Sequence, residues 1–233
     1  MSILHNNNVK LLVSDMAGTI INEKGLIYTA MKNTLTRMGF CVSDADVKTW
    51  HGRDKEHVLY THINSKNNIV SENYNEHVVK QASMRLIDEL DKVYFQDKNI
   101  ELIDNNLLQF FDDLRRDGIK VALNTGYPQD FQHKIIHHFN LQNHIDTWIS
   151  SSQVVAGRPH PYMIQKLIED CEIPSAKNVA KIGDTINDIV EGKNAGCVLN
   201  IGVMTGADTR DELLQHTDVV INKITDLGTV LID

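Results

Sequence analysis

Val9-Lys10-Leu11-Leu12-Val13-Ser14-Asp15-Met16-Ala17-Gly18-Thr19 is an apolar run that closes on a carboxylate and turns at once on a glycine. A short run of this kind, bounded by a turn residue, reads as a buried parallel strand from Val9 to Asp15. The pattern recurs at Gly118 to Gly126, Val179 to Asp184, Cys197 to Val203 and Asp218 to Ile221, with a short candidate from Thr147 to Ser151. Helical patterns fall between these runs, at Asn105 to Arg116, Asp130 to Asn140, Pro161 to Cys171 and Ile186 to Ala195. Alternating strands and helices predict an α/β fold, a parallel sheet with helices on both faces. Ligands then collect at the carboxyl ends of the strands.

The alternation stops between about Asn22 and Asp97. Here Ile27, Ala30, Met31, Leu35 and Met38 share one helical face, and Val79, Ala82, Leu86, Leu90 and Val93 share another. The stretch predicts an inserted helical domain, residues 22–97, carried by a core made of residues 1–21 and 98–233. Of the 233 residues 42% are apolar and 23% charged, the balance of a globular chain. Lys and Arg number 23 against 31 Asp and Glu, a formal charge of −8, which disfavours nucleic acid and anionic membranes as partners. A small phosphorylated molecule stays open, because a metal ion or a few local cations can reverse the sign of one crevice. No apolar run reaches the roughly 18 residues of a membrane span, and residues 1–10 lack the apolar stretch of a signal peptide. Cys41, Cys171 and Cys197 are far apart and form no CxxC pair, as expected of reduced thiols in a cytoplasmic protein.

Four segments that can carry chemistry fall at strand ends or on loops beside them. They are Asp15 to Thr19, Asn124-Thr125-Gly126, Gly157-Arg158-Pro159, and Gly183-Asp184 with Asp188 four residues on. A carboxylate projecting from a strand end can serve as nucleophile or metal ligand. Attack on a phosphoryl group brings two anions together, so a divalent ion on two carboxylates and a nearby cation such as Arg158 would be needed. Thr19 and Thr125 offer hydroxyl donors, while Gly18 and Gly126 let backbone N–H groups approach phosphate oxygens. Each piece has a bland alternative as a turn or a surface charge; four in this order favour a functional reading. His133 and His137 stand at i and i+4, a zinc spacing, but read more simply as the polar face of a helix. Trp50 and Tyr60 read as core more readily than as pocket.

The set resembles the haloacid dehalogenase superfamily of aspartate-nucleophile phosphotransferases, over nearly the whole chain. That resemblance implies a Rossmann-like core with a C1 cap at the helical insertion, and a hydrolase dependent on Mg²⁺. It implies Asp15 as nucleophile and metal ligand, the Ala17 carbonyl as a second ligand, and Thr125 and Arg158 as phosphoryl contacts. Asp184 would complete the metal site, with Asp188 ligating directly or through water. Similar proteins with an exposed cap helix support a homodimer.

Ala17 departs from most phosphatases of that superfamily, which carry there an aspartate that acts as general acid and base. The phosphonatase branch carries this alanine, and Ala156-Gly157-Arg158-Pro159-His160-Pro161 and Lys181-Ile182-Gly183-Asp184-Thr185 resemble its later motifs. In that branch a cap lysine forms a Schiff base with phosphonoacetaldehyde, and C–P cleavage gives an enamine rather than an alkoxide. Lys55, in His51-Gly52-Arg53-Asp54-Lys55, is the matching lysine. Burial or the nearby Arg53 would lower its pKa, whereas Asp54 and Glu56 would raise it. His51 stands where the branch has methionine, and His57 lies two residues after the lysine rather than three. His51 and His160 are expected as substrate contacts. Two alternatives remain: a small-molecule phosphomonoesterase of the phosphoglycolate or sugar-phosphate kind, and a catalytically silent protein that binds metal and phosphate.

Overall fold

The computed structural model describes residues 3–66, 72–97 and 99–228. The expected boundary at residue 98, part of the helical insertion at 67–71 and both chain ends lie outside the described residues. In chain order the elements begin with α1 (Ile3–Asn6), β1 (Leu11–Ser14) and β2 (Ile21–Asn22). Four helices follow, α2 (Leu26–Arg37), α3 (Asp44–Lys48), α4 (Lys55–Lys66) and α5 (Glu72–Asp91), the last running into a π-helical turn over Lys92–Gln96. The chain then alternates through β3 (Glu101–Leu102), α6 (Leu107–Arg116), β4 (Lys120–Thr125), α7 (Gln129–His138), β5 (Thr147–Ser150) and α8 (Tyr162–Asp170). It finishes with β6 (Val179–Gly183), α9 (Ile186–Ala195), β7 (Leu199–Val203), α10 (Arg210–Leu214) and β8 (Val219–Ile221).

Six of the strands form one sheet in the order β5-β4-β1-β6-β7-β8, and every pairing in it is parallel. The strands are apolar because helices cover them: all four residues of β1 and all five of β6 are buried. Strand order reverses at β1, which lies between β4 and β6, so a crevice opens at the carboxyl ends of these three. The start of α9 is set locally. Thr185 accepts from the Asp188 N–H at 3.3 Å and the Asp188 carboxylate accepts from the Thr185 N–H at 3.3 Å, a reciprocal cap that fixes both side chains. No helix among the described residues is long and apolar enough to cross a membrane.

The helical stretch buries Ile27, Met31 and Leu35 of α2 together with Ala82, Leu86 and Leu90 of α5. One feature departs from the expected absence of strands there. Asn22 pairs with Glu101, and Ile21 with Leu102, in a two-stranded antiparallel ribbon at the base of the insertion. Two-residue strands are too short to show a period in the sequence. For the same reason the short helices α1, α3 and α10 carry no visible pattern.

Candidate active site

Asp15 follows β1, Thr125 ends β4 and Asp184 follows β6, so the strand order alone makes their backbones neighbours. The loop before α8 contributes Arg158, whose guanidinium ties the group together. Its Nη1 donates to Asp15 Oδ1 at 2.6 Å and lies 3.2 Å from Asp188 Oδ1. Its Nε donates to Glu191 Oε2 at 3.1 Å, and its Nη2 to the Asn124 carbonyl and Oδ1 at 2.9 and 2.6 Å. Lys181 points from β6 into the same cluster, with Nζ 2.9 Å from Asp188 Oδ1 and 2.8 Å from Asn124 Oδ1. Thr125 is buried, and its hydroxyl accepts from the Tyr127 N–H at 3.3 Å.

Burial governs the electrostatics. It raises the Asp15 carboxyl above its ordinary value, against the pull of Arg158. Asp184 rises further, through burial first and then the charges of Asp15 and Asp188. Asp188 is buried too, but Arg158 and Lys181 together hold it below the usual range. Asp15, Asp184 and Asp188 each bring one carboxylate oxygen within 4.8 Å of the others. Among the described residues the buried carboxylates are Asp15, Glu23, Asp184, Asp188 and Glu191, against the buried cations Lys55, Arg158 and Lys181. The excess of negative charge in an all-oxygen donor set fits one hard divalent cation such as Mg²⁺. Asp188 is the least free of the three, since Thr185 Oγ1 donates to its Oδ2 at 2.6 Å while two cations face Oδ1.

The loop Trp50 to Lys55 presses onto this cluster from the helical insertion. Gly52 sits at φ +67°, and a Cβ there would stand 2.1 Å from Thr185 Oγ1, so only glycine allows the approach. Asn187 Nδ2 donates to the His51 carbonyl at 2.7 Å, and the Lys55 N–H to the Gly126 carbonyl at 3.1 Å. Lys55 is only 6% exposed. Its Nζ donates to the Arg53 carbonyl at 2.9 Å and lies 5.2 Å from the centre of the Tyr28 ring. The amine pKa falls, and burial, one of the two causes expected for it, comes first. Asp15 raises it, Arg158 lowers it again and Asp54 raises it as expected, while the Arg53 charge is not among the leading causes.

Two concavities adjoin the site. An inner one of about 280 Å³ is lined by Ala17, Gly18, Glu23, Tyr28, His51 and Asp184, among others. Gly18, at φ +82°, leaves room that a Cβ would fill 2.5 Å from Asp184 Oδ2, and Thr19 Oγ1 donates to Asp184 Oδ1 at 3.4 Å. The outer one, about 510 Å³, is lined by Arg53, His57, Tyr60, Val155, Arg158 and His160, among others. His160 is exposed there with its ring stacked on Tyr162, and no hydrogen bond among the described residues joins it to the carboxylate cluster. Trp50 is buried in the core, whereas Tyr60 is 44% exposed on the outer cleft.

Asn124 and Lys181 stood in quoted segments without a role of their own, and Glu191, Tyr28 and Asp208 were not singled out from the sequence. Two of them left a trace. Lys181 is a charge inside the apolar strand Val-Ala-Lys-Ile-Gly, and Glu191 follows Asp188 by three, on the same helix face. Tyr28 and Asp208 lie on distant segments with no local signal.

A family model described as haloacid dehalogenase-like hydrolase matches residues 9–196. Phosphonoacetaldehyde hydrolase of Parabacteroides distasonis is 41% identical over 96 residues, 41% of this chain and 36% of that protein. The protein of the same name from Bacillus cereus is 30% identical over 128 residues, 49% of this chain and 48% of that protein. The matches therefore span less than half the length of these two relatives. Among solved structures, a phosphonoacetaldehyde hydrolase-like protein from Oleispira antarctica aligns with a TM-score of 0.76 at 22% identity, covering 95% of this chain and 91% of its own. A predicted phosphoglycolate phosphatase from Haemophilus somnus aligns with a TM-score of 0.73 at 18% identity, covering 95% and 97%. At such identities the likeness is one of fold.

Proposed function

We propose that this chain, which belongs to the haloacid dehalogenase-like hydrolase family, cleaves a small phosphonate or phosphate through an aspartyl-phosphate on Asp15. The substrate that fits best is phosphonoacetaldehyde. The helical insertion, residues 22–97, is read as the cap that covers the site. Asp15, the Ala17 carbonyl and Asp184 would hold Mg²⁺; when bound, such an ion supplies the positive charge that lets an anionic carboxylate approach an anionic phosphoryl group. Asp188 then acts indirectly, holding Arg158 and Lys181 in place.

One observation carries the substrate assignment: Lys55 is buried at the cap–core contact with its amine pKa lowered, while Ala17 offers no proton at the position beside Asp15. An unprotonated Lys55 attacks the aldehyde carbon, and loss of water leaves a protonated imine. Asp15 then attacks phosphorus; the P–C bond breaks and its electron pair passes into the imine to give an enamine, so no alkoxide has to leave. Arg158, Lys181 and the Thr125 hydroxyl face the phosphoryl oxygens. Protonation and hydrolysis of the enamine free acetaldehyde and Lys55, and water releases phosphate from Asp15.

Incubation with phosphonoacetaldehyde followed by borohydride should leave a covalent adduct on Lys55, located by peptide mass mapping. Turnover of a phosphomonoester that survives Lys55→Ala but not Asp15→Asn would move the reading to a phosphomonoesterase. Mg²⁺ binding with no phosphate released from a broad panel would move it to a silent binding protein.

A further inference from the structure

We propose that His51, oriented by Asp208, carries the proton when water hydrolyses the aspartyl-phosphate; this rests on the Asp15 phosphoenzyme reading above. That step must occur whichever substrate phosphorylates Asp15, and Ala17 leaves it without a proton acceptor on the nucleophile loop. The His51 ring lines the same inner cavity as Ala17, Gly18 and Asp184, with its side chain 19% exposed. Its Nδ1 lies 2.9 Å from Asp208 Oδ1, while Asp208 Oδ2 accepts from the Ile186 N–H at 2.7 Å, so the carboxylate is itself clamped. A carboxylate at Nδ1 keeps the ring proton there and leaves the lone pair on Nε2. No hydrogen bond among the described residues reaches Nε2. The ring also lies 4.8 Å from the Tyr28 ring, and the His51 backbone carbonyl accepts from Asn187 Nδ2.

The other titratable groups of this cavity are committed elsewhere. The Glu23 carboxylate accepts from the Gly25 and Ile27 N–H groups and from the Tyr94 hydroxyl. The Tyr28 hydroxyl accepts from the Gly52 N–H, and burial with the Asp184 charge pushes it far above its ordinary range. Lys24 is an exposed cation facing Glu101. Asp184 accepts from the Ala207 N–H and the Thr19 hydroxyl, and belongs to the carboxylate cluster. His51 is the group left with a ring nitrogen to spare.

The water oxygen bonds to phosphorus, the bond from phosphorus to the Asp15 oxygen breaks, and its electron pair restores the carboxylate. The water proton passes to His51 Nε2, giving an imidazolium paired with Asp208 that returns the proton to solvent before the next cycle.

4-Nitrophenyl phosphate is the probe, because nitrophenolate leaves without an acid and isolates the second step. With His51→Ala, stopped-flow should show a burst near one nitrophenolate per protein, then a steady state lowered on the order of 100-fold. Acid-quenched protein should carry phosphate on Asp15, and millimolar imidazole should restore the steady-state rate. His51→Gln, which keeps a polar side chain toward Asp208 but no transferable proton, should fail alike and answer to imidazole less. Steady-state turnover equal to wild type in His51→Ala overturns the assignment. So does a loss that falls on the burst as well and ignores imidazole, which would make His51 only a cap latch. Turnover with no Asp15 phosphate in either protein overturns the phosphoenzyme reading itself, and the His51 role with it.

Discussion

The inner cavity and the outer cleft are built differently. The outer is the larger, about 510 against 280 Å³, and it holds two histidines, His57 and His160. Its wall includes Val155, 88% exposed, together with the exposed Glu56, His57, Tyr60 and His160. The inner cavity is small, and three side chains of its wall are fixed: Asp184 by Ala207, His51 by Asp208, Glu23 by two backbone N–H groups. Volume therefore points one way and preorganisation the other. Chemistry needs groups held in place before the substrate arrives, and those surround the smaller space.

Substitutions can test that contrast, the strongest first. Asp15→Asn should abolish phosphate release from any substrate, a loss on the order of 10⁴-fold or more, with the fold intact by circular dichroism. Next, Lys55→Ala should lower phosphonoacetaldehyde cleavage roughly 10²- to 10⁴-fold and remove the borohydride adduct, while leaving 4-nitrophenyl phosphate turnover within a few-fold. The same lysine carries a pH signature. Its lowered pKa leaves more neutral amine at a given pH, so adduct formation rises with pH and reaches its midpoint below the roughly 10.4 of a free lysine. A midpoint at or above that value would mean an exposed ammonium.

Gly52→Ala comes third. Its positive φ and the contact with Thr185 should cost about 1–3 kcal/mol, read as a lower denaturant midpoint and a raised KM. The smallest effect is expected in the outer cleft, where His160→Ala should change kcat/KM by less than about threefold. A loss of tenfold or more there would put the larger cleft on the substrate's path and reverse the comparison.

The sheet and its helices were legible because burial on both faces makes each strand a continuous apolar run. Helix α9 matched its expected limits, Ile186–Ala195, since Thr185 and Gly196 mark its ends chemically. Asp15, Arg158 and Asp184 could be picked out because each sits at a strand end or on a short loop beside one. Lys181 and Glu191 were harder. A buried charge looks like noise in an apolar strand until its partners are known, and these partners come from β4, α9 and the loop before α8. Asp208 could not be found at all from local pattern. It meets His51 across 157 positions of sequence, and only the closed loop at Gly52 brings the two together. Which cavity belongs to the reaction is likewise a property of that loop, not of any motif.

The two-residue ribbon in which Asn22 pairs with Glu101 has a consequence of its own. The described residues between those two add no strand to the parallel sheet, and the stretch starts and ends at one spot, like a handle with both ends on the same hinge. A detour whose ends already touch can change in length and content without moving a strand, because closing a longer loop costs little extra entropy. The sheet and its buried charges can thus stay constant while the handle is exchanged, so a new substrate preference need not wait for a new fold.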